Sequence, residues 1–259
     1  MSMSDGRIAR RVLLTNDDGL DAPGLGVLRE IAAQVAEEVW VVAPQRDQSG
    51  TSHSISLHAP LRVHRHGERV FAVEGTPADS VVIGTRQLMR ETPPDLILSG
   101  VNQGANLGTE TVFSGTVGAA MTGLLLGVPS IALSLAFVRG QPAHWATPRM
   151  HGPDVLRRVA SMPWRARACL NINFPDVPPE QAGPLTLTRQ GRGILDTIEI
   201  DGRIDPRQQT YFWIRLDRTP RPDHADSEGE AVRAGRIAVT PLRFERTDEA
   251  SFDEMRAAF

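Results

Sequence analysis

No lysine occurs in the sequence, so all 28 basic side chains are arginine. A lysine nucleophile and the lysine of a Walker-type phosphate loop are therefore excluded. Cysteine is nearly absent too: Cys169 stands alone, which rules out an intramolecular disulfide and a cysteine-based zinc site. It lies in the apolar run Ala168-Cys169-Leu170-Asn171-Ile172-Asn173-Phe174, where it reads as a small packing residue of a buried strand. No segment approaches the roughly 18 consecutive apolar residues of a membrane span. The short, polar, arginine-bearing N-terminus lacks the apolar core of a signal peptide, so the expected location is cytoplasmic. A net charge of −3 gives no electrostatic case for duplex nucleic acid or an anionic membrane as partner. Neither an internal repeat nor a low-complexity tract is found.

What is present is an ordinary globular composition, 41% hydrophobic and 23% charged, over 259 residues. That length holds one large core or a main domain with a smaller appendage. Val12-Leu13-Leu14-Thr15 reads as a buried parallel strand. Asp21-Ala22-Pro23 starts a helix with Leu25, Leu28, Ile31, Ala32 and Val35 at helical spacing, and Val39-Trp40-Val41-Val42-Ala43 is the next strand. Gly75-Thr76-Pro77-Ala78-Asp79 predicts a capped helix in which Asp79 has a structural role, continuing through Val81, Val82, Ile83 and Leu88 towards Met89. Further buried strands are expected at 95–99, 131–135 and 168–174. Residues 139–164 mix helical and loop signals. Beyond Pro175, alternating segments at 185–188 and 210–214 predict hairpins, 235–242 a late strand, and the charged stretch 217–230 a mobile loop.

The first strand ends abruptly in Asn16-Asp17-Asp18-Gly19. Ligands of open α/β sheets collect outside the carboxyl ends of strands, so the two carboxylates stand where chemistry is usually done. Adjacent anions repel, and a hard divalent ion between them, Mg²⁺ or Mn²⁺, relieves the repulsion. Asp-Asp-Gly is also ordinary turn chemistry, because aspartate caps backbone N–H groups and glycine adopts positive φ freely. A second site region follows the strand at 95–99: Ser99-Gly100-Val101-Asn102-Gln103-Gly104-Ala105-Asn106-Leu107-Gly108 combines glycines with neutral amides. Ser114-Gly115-Thr116 then opens a small-residue helix whose N-terminus suits a phosphate. Close packing of a glycine-rich turn and helix is the alternative reading, and the two are compatible. The lone His53 reads as locally hydrogen-bonded, and no histidine has metal-ligand spacing.

Together these segments resemble the SurE family of survival-protein nucleotidases. The likeness rests on Leu14-Thr15-Asn16-Asp17-Asp18-Gly19, Ala43-Pro44 leading to Gln48-Ser49-Gly50, Gly75-Thr76-Pro77-Ala78-Asp79, Ser99-Gly100-Val101-Asn102 with Gly104, Asn106 and Gly108, Ser114-Gly115-Thr116-Val117-Gly118-Ala119-Ala120, Asn171-Ile172-Asn173-Phe174-Pro175 and Val239-Thr240-Pro241-Leu242. It implies a Rossmann-like three-layer α/β/α core over 8–180 and a smaller C-terminal hairpin-rich region over 181–259 used for oligomerisation, giving homodimers or homotetramers. The implied activity is hydrolysis of nucleoside 5′- and 3′-monophosphates, extending to short-chain polyphosphate. One divalent ion is implied, on Asp17, Asp18, Ser49 and Asn102. Asp17 and Asp18 would be the catalytic carboxylates, and Asn16, Asn106, Ser114, Gly115 and Thr116 would hold the phosphoryl oxygens. Phe113 departs from the tyrosine common in the family.

Two other mechanisms fit parts of the sequence. An aspartyl-phosphate route would use Asp17 or Asp18 as nucleophile, but the haloacid-dehalogenase-like pattern separates its aspartates by one residue. A non-catalytic nucleotide-binding regulator is the other, and the missing Gly-x-Gly-x-x-Gly after the first strand disfavours a dinucleotide site.

Overall fold

A computed structural model describes residues 6–138, 140–164, 168–219 and 221–258. Residues 1–5 of the N-terminus, Arg139 at the head of the mixed 139–164 segment and Pro220 within the charged 217–230 stretch lie outside the described residues. Along the chain run β1 (Ala9–Thr15), α1 (Pro23–Ala33), β2 (Ala36–Pro44), β3 (Val63–Gly67), β4 (Val70–Val73), α2 (Pro77–Ile83), β5 (Leu96–Gln103), α3 (Gly115–Leu125) and β6 (Ser130–Leu135). They are followed by α4 (Ala146–Ala160), β7 (Cys169–Phe174), β8 (Gly183–Leu187), β9 (Leu195–Ile204), β10 (Thr210–Arg218), α5 (Glu228–Arg233), β11 (Arg236–Leu242) and α6 (Glu249–Ala258).

Nine strands form one sheet in the order β3-β4-β2-β1-β5-β6-β7-β11-β8. From β4 to β7 every neighbouring pair is parallel, with β1 between β2 and β5. Period-2 alternation in β1 explains the layers. Val12 and Leu14 pack on one face with Leu25, Leu28 and Ile31 of α1 and Val155, Leu156 and Val159 of α4. Leu13 points the other way, into a cluster with Val42, Ile97, Val81 of α2 and Ala119 of α3. Both faces of the strand are thus covered, as its unbroken apolar run requires. Full burial of each such leucine is worth about 1.5–3 kcal/mol. The chain is an α/β protein with a large, mainly parallel sheet between helical layers.

Local chemistry accounts for the helix that starts at Pro77. The Thr76 hydroxyl accepts from the Asp79 N–H at 3.1 Å, and the Asp79 carboxylate accepts from the Thr76 N–H at 2.9 Å. Asp79 also receives the Ser56 N–H and hydroxyl, at 2.9 and 2.7 Å, so its carboxylate is spent on structure. After Ile83 the helix widens into a π-turn over Gly84–Leu88 before Met89, which is buried.

The C-terminal third differs from expectation at two points. The alternating residues Leu185–Leu187 form no hairpin; β8 pairs parallel with β11, which itself runs antiparallel to β7 at the sheet's edge. Alternation marks a half-buried strand but does not specify its partner. The charged 217–230 stretch is anchored: Ser227 and Glu228 are buried, and Arg189 pairs with Asp226 at 2.9 Å. By contrast, β9 and β10 do form an antiparallel hairpin, a separate two-stranded sheet.

Candidate active site

Parallel pairing aligns Leu14 with Leu98 and Thr15 with Ser99, which brings the carboxyl ends of β1 and β5 side by side. The chain leaves β1 through Asn16-Asp17-Asp18 and turns at Gly19, whose φ of +100° suits glycine. The loop after β2 comes to meet it, its Gln48 N–H donating to the Asp17 carbonyl at 2.7 Å.

Asp17 is 4% exposed and abuts the start of α3. Both the hydroxyl and the backbone N–H of Thr116 donate to its carboxylate. Such close approach needs Gly115: a Cβ there would lie 2.7 Å from Asp17 Cβ and 2.8 Å from Oδ2. Ser114 caps the helix by accepting from the Val117 N–H at 3.0 Å. The partial positive end of α3 therefore faces a buried anion. Burial pushes the Asp17 pKa up, and the Thr116 hydroxyl pulls it back down in part. Asp18 is half-buried and accepts from the Gln103 N–H at 3.3 Å. Burial, then the neighbouring Asp17 charge, pushes its pKa from 3.8 up to about 6.

The remaining predicted residues divide into two groups. Asn102 lies beside this pair at the end of β5, and its Nδ2 donates to the Gly104 carbonyl at 2.8 Å, leaving the Oδ1 pole for another partner. Ser49 is on the exposed β2 loop, its hydroxyl donating to Asp47 Oδ1 at 2.7 Å. Asn16 is buried, its Nδ2 on the Gly19 carbonyl at 2.8 Å and its Oδ1 without a partner among the described residues. Asn106 is the most tightly held. Its N–H donates to Asn173 Oδ1 at 2.9 Å, its Nδ2 to Ser134 Oγ at 2.8 Å, and its carbonyl accepts from Asn171 and Asn173. Gly115 and Thr116 meet Asp17 directly and Ser114 caps their helix, whereas Ser49 is brought near only through its loop.

Several contributors were not singled out from the sequence. Asp47 fixes Ser49 and adds a third negative charge felt by both Asp17 and Asp18. Asn171 and Asn173 anchor Asn106 from β7; their Asn-x-Asn spacing, which puts two amides on one face of a strand, is the signal that could have found them. His53 is locally bonded, as expected, through its Nδ1 to Ser52 Oγ at 3.1 Å.

The donor set suits a hard cation. Two carboxylates and neutral oxygens converge at the strand ends, and the buried Asn16 Oδ1, Thr15 Oγ1 and Ser99 Oγ around them have no partner among the described residues. Among the described residues no three or more His, Cys, Asp or Glu side chains are grouped to hold a metal, so the candidate set combines two carboxylates with neutral oxygens.

Known proteins share this architecture. The family described as Survival protein SurE matches residues 12–197. A 5′-nucleotidase SurE 1 of Burkholderia lata is 56% identical over 248 residues, covering 96% of each chain. A 5′-nucleotidase SurE of Bradyrhizobium diazoefficiens is 46% identical over 254 residues, 96% of this chain and 99% of the relative. The crystal structure of the SurE protein from Aquifex aeolicus matches with a TM-score of 0.81 at 33% identity, covering 96% of this chain and 99% of that one. With both sequence and fold matched from end to end, the chain belongs to the SurE family.

Proposed function

We propose that the protein is a divalent-metal-dependent 5′-nucleotidase that hydrolyses nucleoside 5′- and 3′-monophosphates to nucleoside and phosphate, and also acts on short-chain polyphosphate. The observation that carries this reading is the pair of adjacent carboxylates at the carboxyl end of β1, one of them received by the first turn of α3. The names of the relatives support the nucleotide substrate.

Asp17, Asp18, Ser49 and Asn102 would hold one Mg²⁺ or Mn²⁺. Bound there, the ion supplies Lewis-acid polarisation of a phosphoryl oxygen and a lowered pKa for attacking water. The chain's own residues do the rest. Thr116 fixes the Asp17 rotamer. Ser134 and Asn173 fix Asn106, whose amide, with Asn16, the Ser114 hydroxyl and the Gly115 N–H, offers donors where negative charge builds on the phosphoryl oxygens, while Thr116 spends its hydroxyl and N–H on Asp17. Asn106 needs no reorganisation to act, because its side chain is already tied to the sheet.

Release of phosphate from a panel of 5′- and 3′-nucleotides and short polyphosphate, with and without Mn²⁺ or Mg²⁺, tests this for wild type and Asp17→Asn. Metal-dependent release that disappears in the variant is expected; nucleotide binding with no release under either metal would favour a regulator. A single turnover with excess enzyme in ¹⁸O-water separates direct attack from an aspartyl-phosphate opened at its carbonyl carbon: direct attack labels the first phosphate released, and that aspartyl route does not.

The same reading assigns residues 8–180 to a catalytic core and 181–259 to an oligomerising region, with a homodimer or homotetramer acting in the cytoplasm. What supports the assembly is the β9–β10 hairpin. Cross-strand pairing puts Ile198, Ile200, Ile204, Phe212, Ile214 and Leu216 on one face, where the three isoleucines of β9, Phe212 and Ile214 are 50–72% exposed. Among the described residues no helix is long and apolar enough to cross a membrane.

A further inference from the structure

Glu228, the first residue of α5, is far from the carboxylates of the site and yet is 1% exposed. Its two oxygens serve two different segments: Oε1 accepts from the Gly108 N–H at 2.6 Å and Oε2 from the Gly191 N–H at 2.7 Å. Gly108 closes the loop that carries Asn106, and Gly191 lies just before the root of the hairpin, where the Thr219 N–H meets the Ile194 carbonyl at 2.8 Å. Neighbouring contacts repeat the connection. Gln190 Nε2 donates to the Gly108 carbonyl at 2.8 Å and to Thr111 Oγ1 at 2.9 Å, and the Thr109 hydroxyl donates to the Arg192 carbonyl at 3.0 Å. Arg218, the last residue of β10, pairs with Glu110 at 2.7 Å. The two segments touch so closely that a Cβ on Gly108 would lie 2.1 Å from the Gly193 nitrogen.

We propose that Glu228 is a positioning residue for phosphate binding, fastening the 104–112 loop to the hairpin root and so holding Asn106 and the start of α3 in register with the carboxylates. The inference rests on the nucleotidase reading for its substrate but not for its geometry. Two of the loop's ties bracket its middle, Asn106 on Ser134 and Asn173, and Gly108 on Glu228. Gly108 opens the 3₁₀ turn Gly108–Val112, and that turn ends where the Ser114 N–H donates to the Thr111 carbonyl at 3.3 Å. A displacement at Gly108 is therefore passed backward to Asn106 and forward to the α3 cap. Among the described residues no hydrogen bond joins Asp17, Asp18 or Asn102 to Glu228 itself, and they reach the displaced segments only through Asn102 on Gly104 and Thr116 on Asp17, so a metal bound there should be disturbed less than phosphate. Two charge-assisted hydrogen bonds from separate segments give the tie its strength, since an N–H left without its acceptor in a buried position is costly.

The test is Glu228→Gln, which replaces one acceptor oxygen by an NH₂ facing an N–H. Three readouts are taken: amide hydrogen exchange over residues 104–112, competitive inhibition by inorganic phosphate, and Mn²⁺ affinity by titration. Faster exchange confined to the loop and the segment around Gly191, inhibition weakened about tenfold, and Mn²⁺ affinity within about twofold of wild type are expected. KM should rise more than kcat falls. If phosphate and Mn²⁺ weaken together, or if melting temperature falls while the phosphate constant stays put, Glu228 is only a structural residue and the proposal fails. Should Glu228→Gln not fold, Gln190→Ala removes the weaker half of the same tie and should loosen phosphate by about threefold; no change there also overturns it. Wild-type protein that binds Mn²⁺ but hydrolyses no nucleotide would instead sink the nucleotidase reading, and loop exchange in the variant would still decide whether Glu228 holds the loop.

Discussion

Polar groups crowd the buried strand ends around Asp17, whereas the β9–β10 hairpin carries isoleucine and phenylalanine into solvent. Each region breaks the ordinary rule of burial, in opposite directions. Around Asp17 a carboxylate is held dry against a helix start, and Asn16, Thr15 and Ser99 each leave a buried oxygen without a partner among the described residues. On the hairpin the charged face is satisfied internally, Arg215 pairing with Glu199 and Asp217, and Arg203 with Asp201. On its other face Ile198, Ile200, Ile204, Phe212 and Ile214 stay largely exposed. Under the proposed function the strand ends would take a small charged ligand, and the hairpin would take an apolar surface of another chain.

The comparison is broken most severely at Asp17. Asp17→Asn should cut metal-dependent phosphate release by about a thousandfold or more, a loss typical of removing a group on which charge stabilisation depends, while assembly stays as in wild type. Steady-state kinetics and sedimentation on the same sample check both halves. Next in size is the hairpin. Ile200→Ser with Ile214→Ser, paired across the strands, should raise the dissociation constant of the assembly by about a hundredfold, with little change in the stability of the single chain. Sedimentation velocity across a dilution series reads this out, and an unchanged oligomer would remove the hairpin from the interface.

Asp18 gives a smaller effect whose sign depends on pH. Its carboxyl in the folded chain is raised from 3.8 to about 6, so the folded state holds the proton more tightly than the unfolded one. The stability this contributes is complete below about pH 4 and lost as pH rises through about 6. With chelator at pH 7.5, Asp18→Asn should therefore melt a few degrees above wild type, and the gap should close near pH 4. Excess Mn²⁺ at pH 7.5 should reverse the order, because the ion stabilises wild type and not the variant. Smallest is Thr76→Ala, which removes a capping box that belongs to neither region. A cost of about 1 kcal/mol in denaturant unfolding, with activity unchanged, sets the baseline for the others.

Much of the strand-end region and of the helix starts is legible because the signals are local. The apolar run into Asn16-Asp17-Asp18-Gly19, the Thr76–Asp79 capping box and the Ser114 cap each lie within a few consecutive residues, and each stands in the structure as local chemistry dictates. Pairings across long stretches of chain were not legible. The alternation at β8 looks the same whether its partner is a hairpin neighbour or β11 some fifty residues later. Residues 146–160 carry Pro148, Gly152 and Pro153 and have no side-chain cap, so the helix there is held by packing of Val155, Leu156 and Val159 instead of by propensity. Glu228 sits in a charged stretch that composition alone assigns to solvent. Only the fold, by delivering Gly108 and Gly191 to its two oxygens, turns it inward.

Cys169 has a use that follows from its setting. It is wholly buried in β7 between β6 and β11, and burial pushes its thiol up to about 12, so it meets no reagent while the sheet is closed. A thiol-reactive dye in the native protein can then label only those molecules whose sheet has opened, and with no second thiol the colour counts them one for one. The unmodified chain thus contains its own clock for the opening of its core, and one whose ticking should slow when metal, phosphate or a second subunit binds.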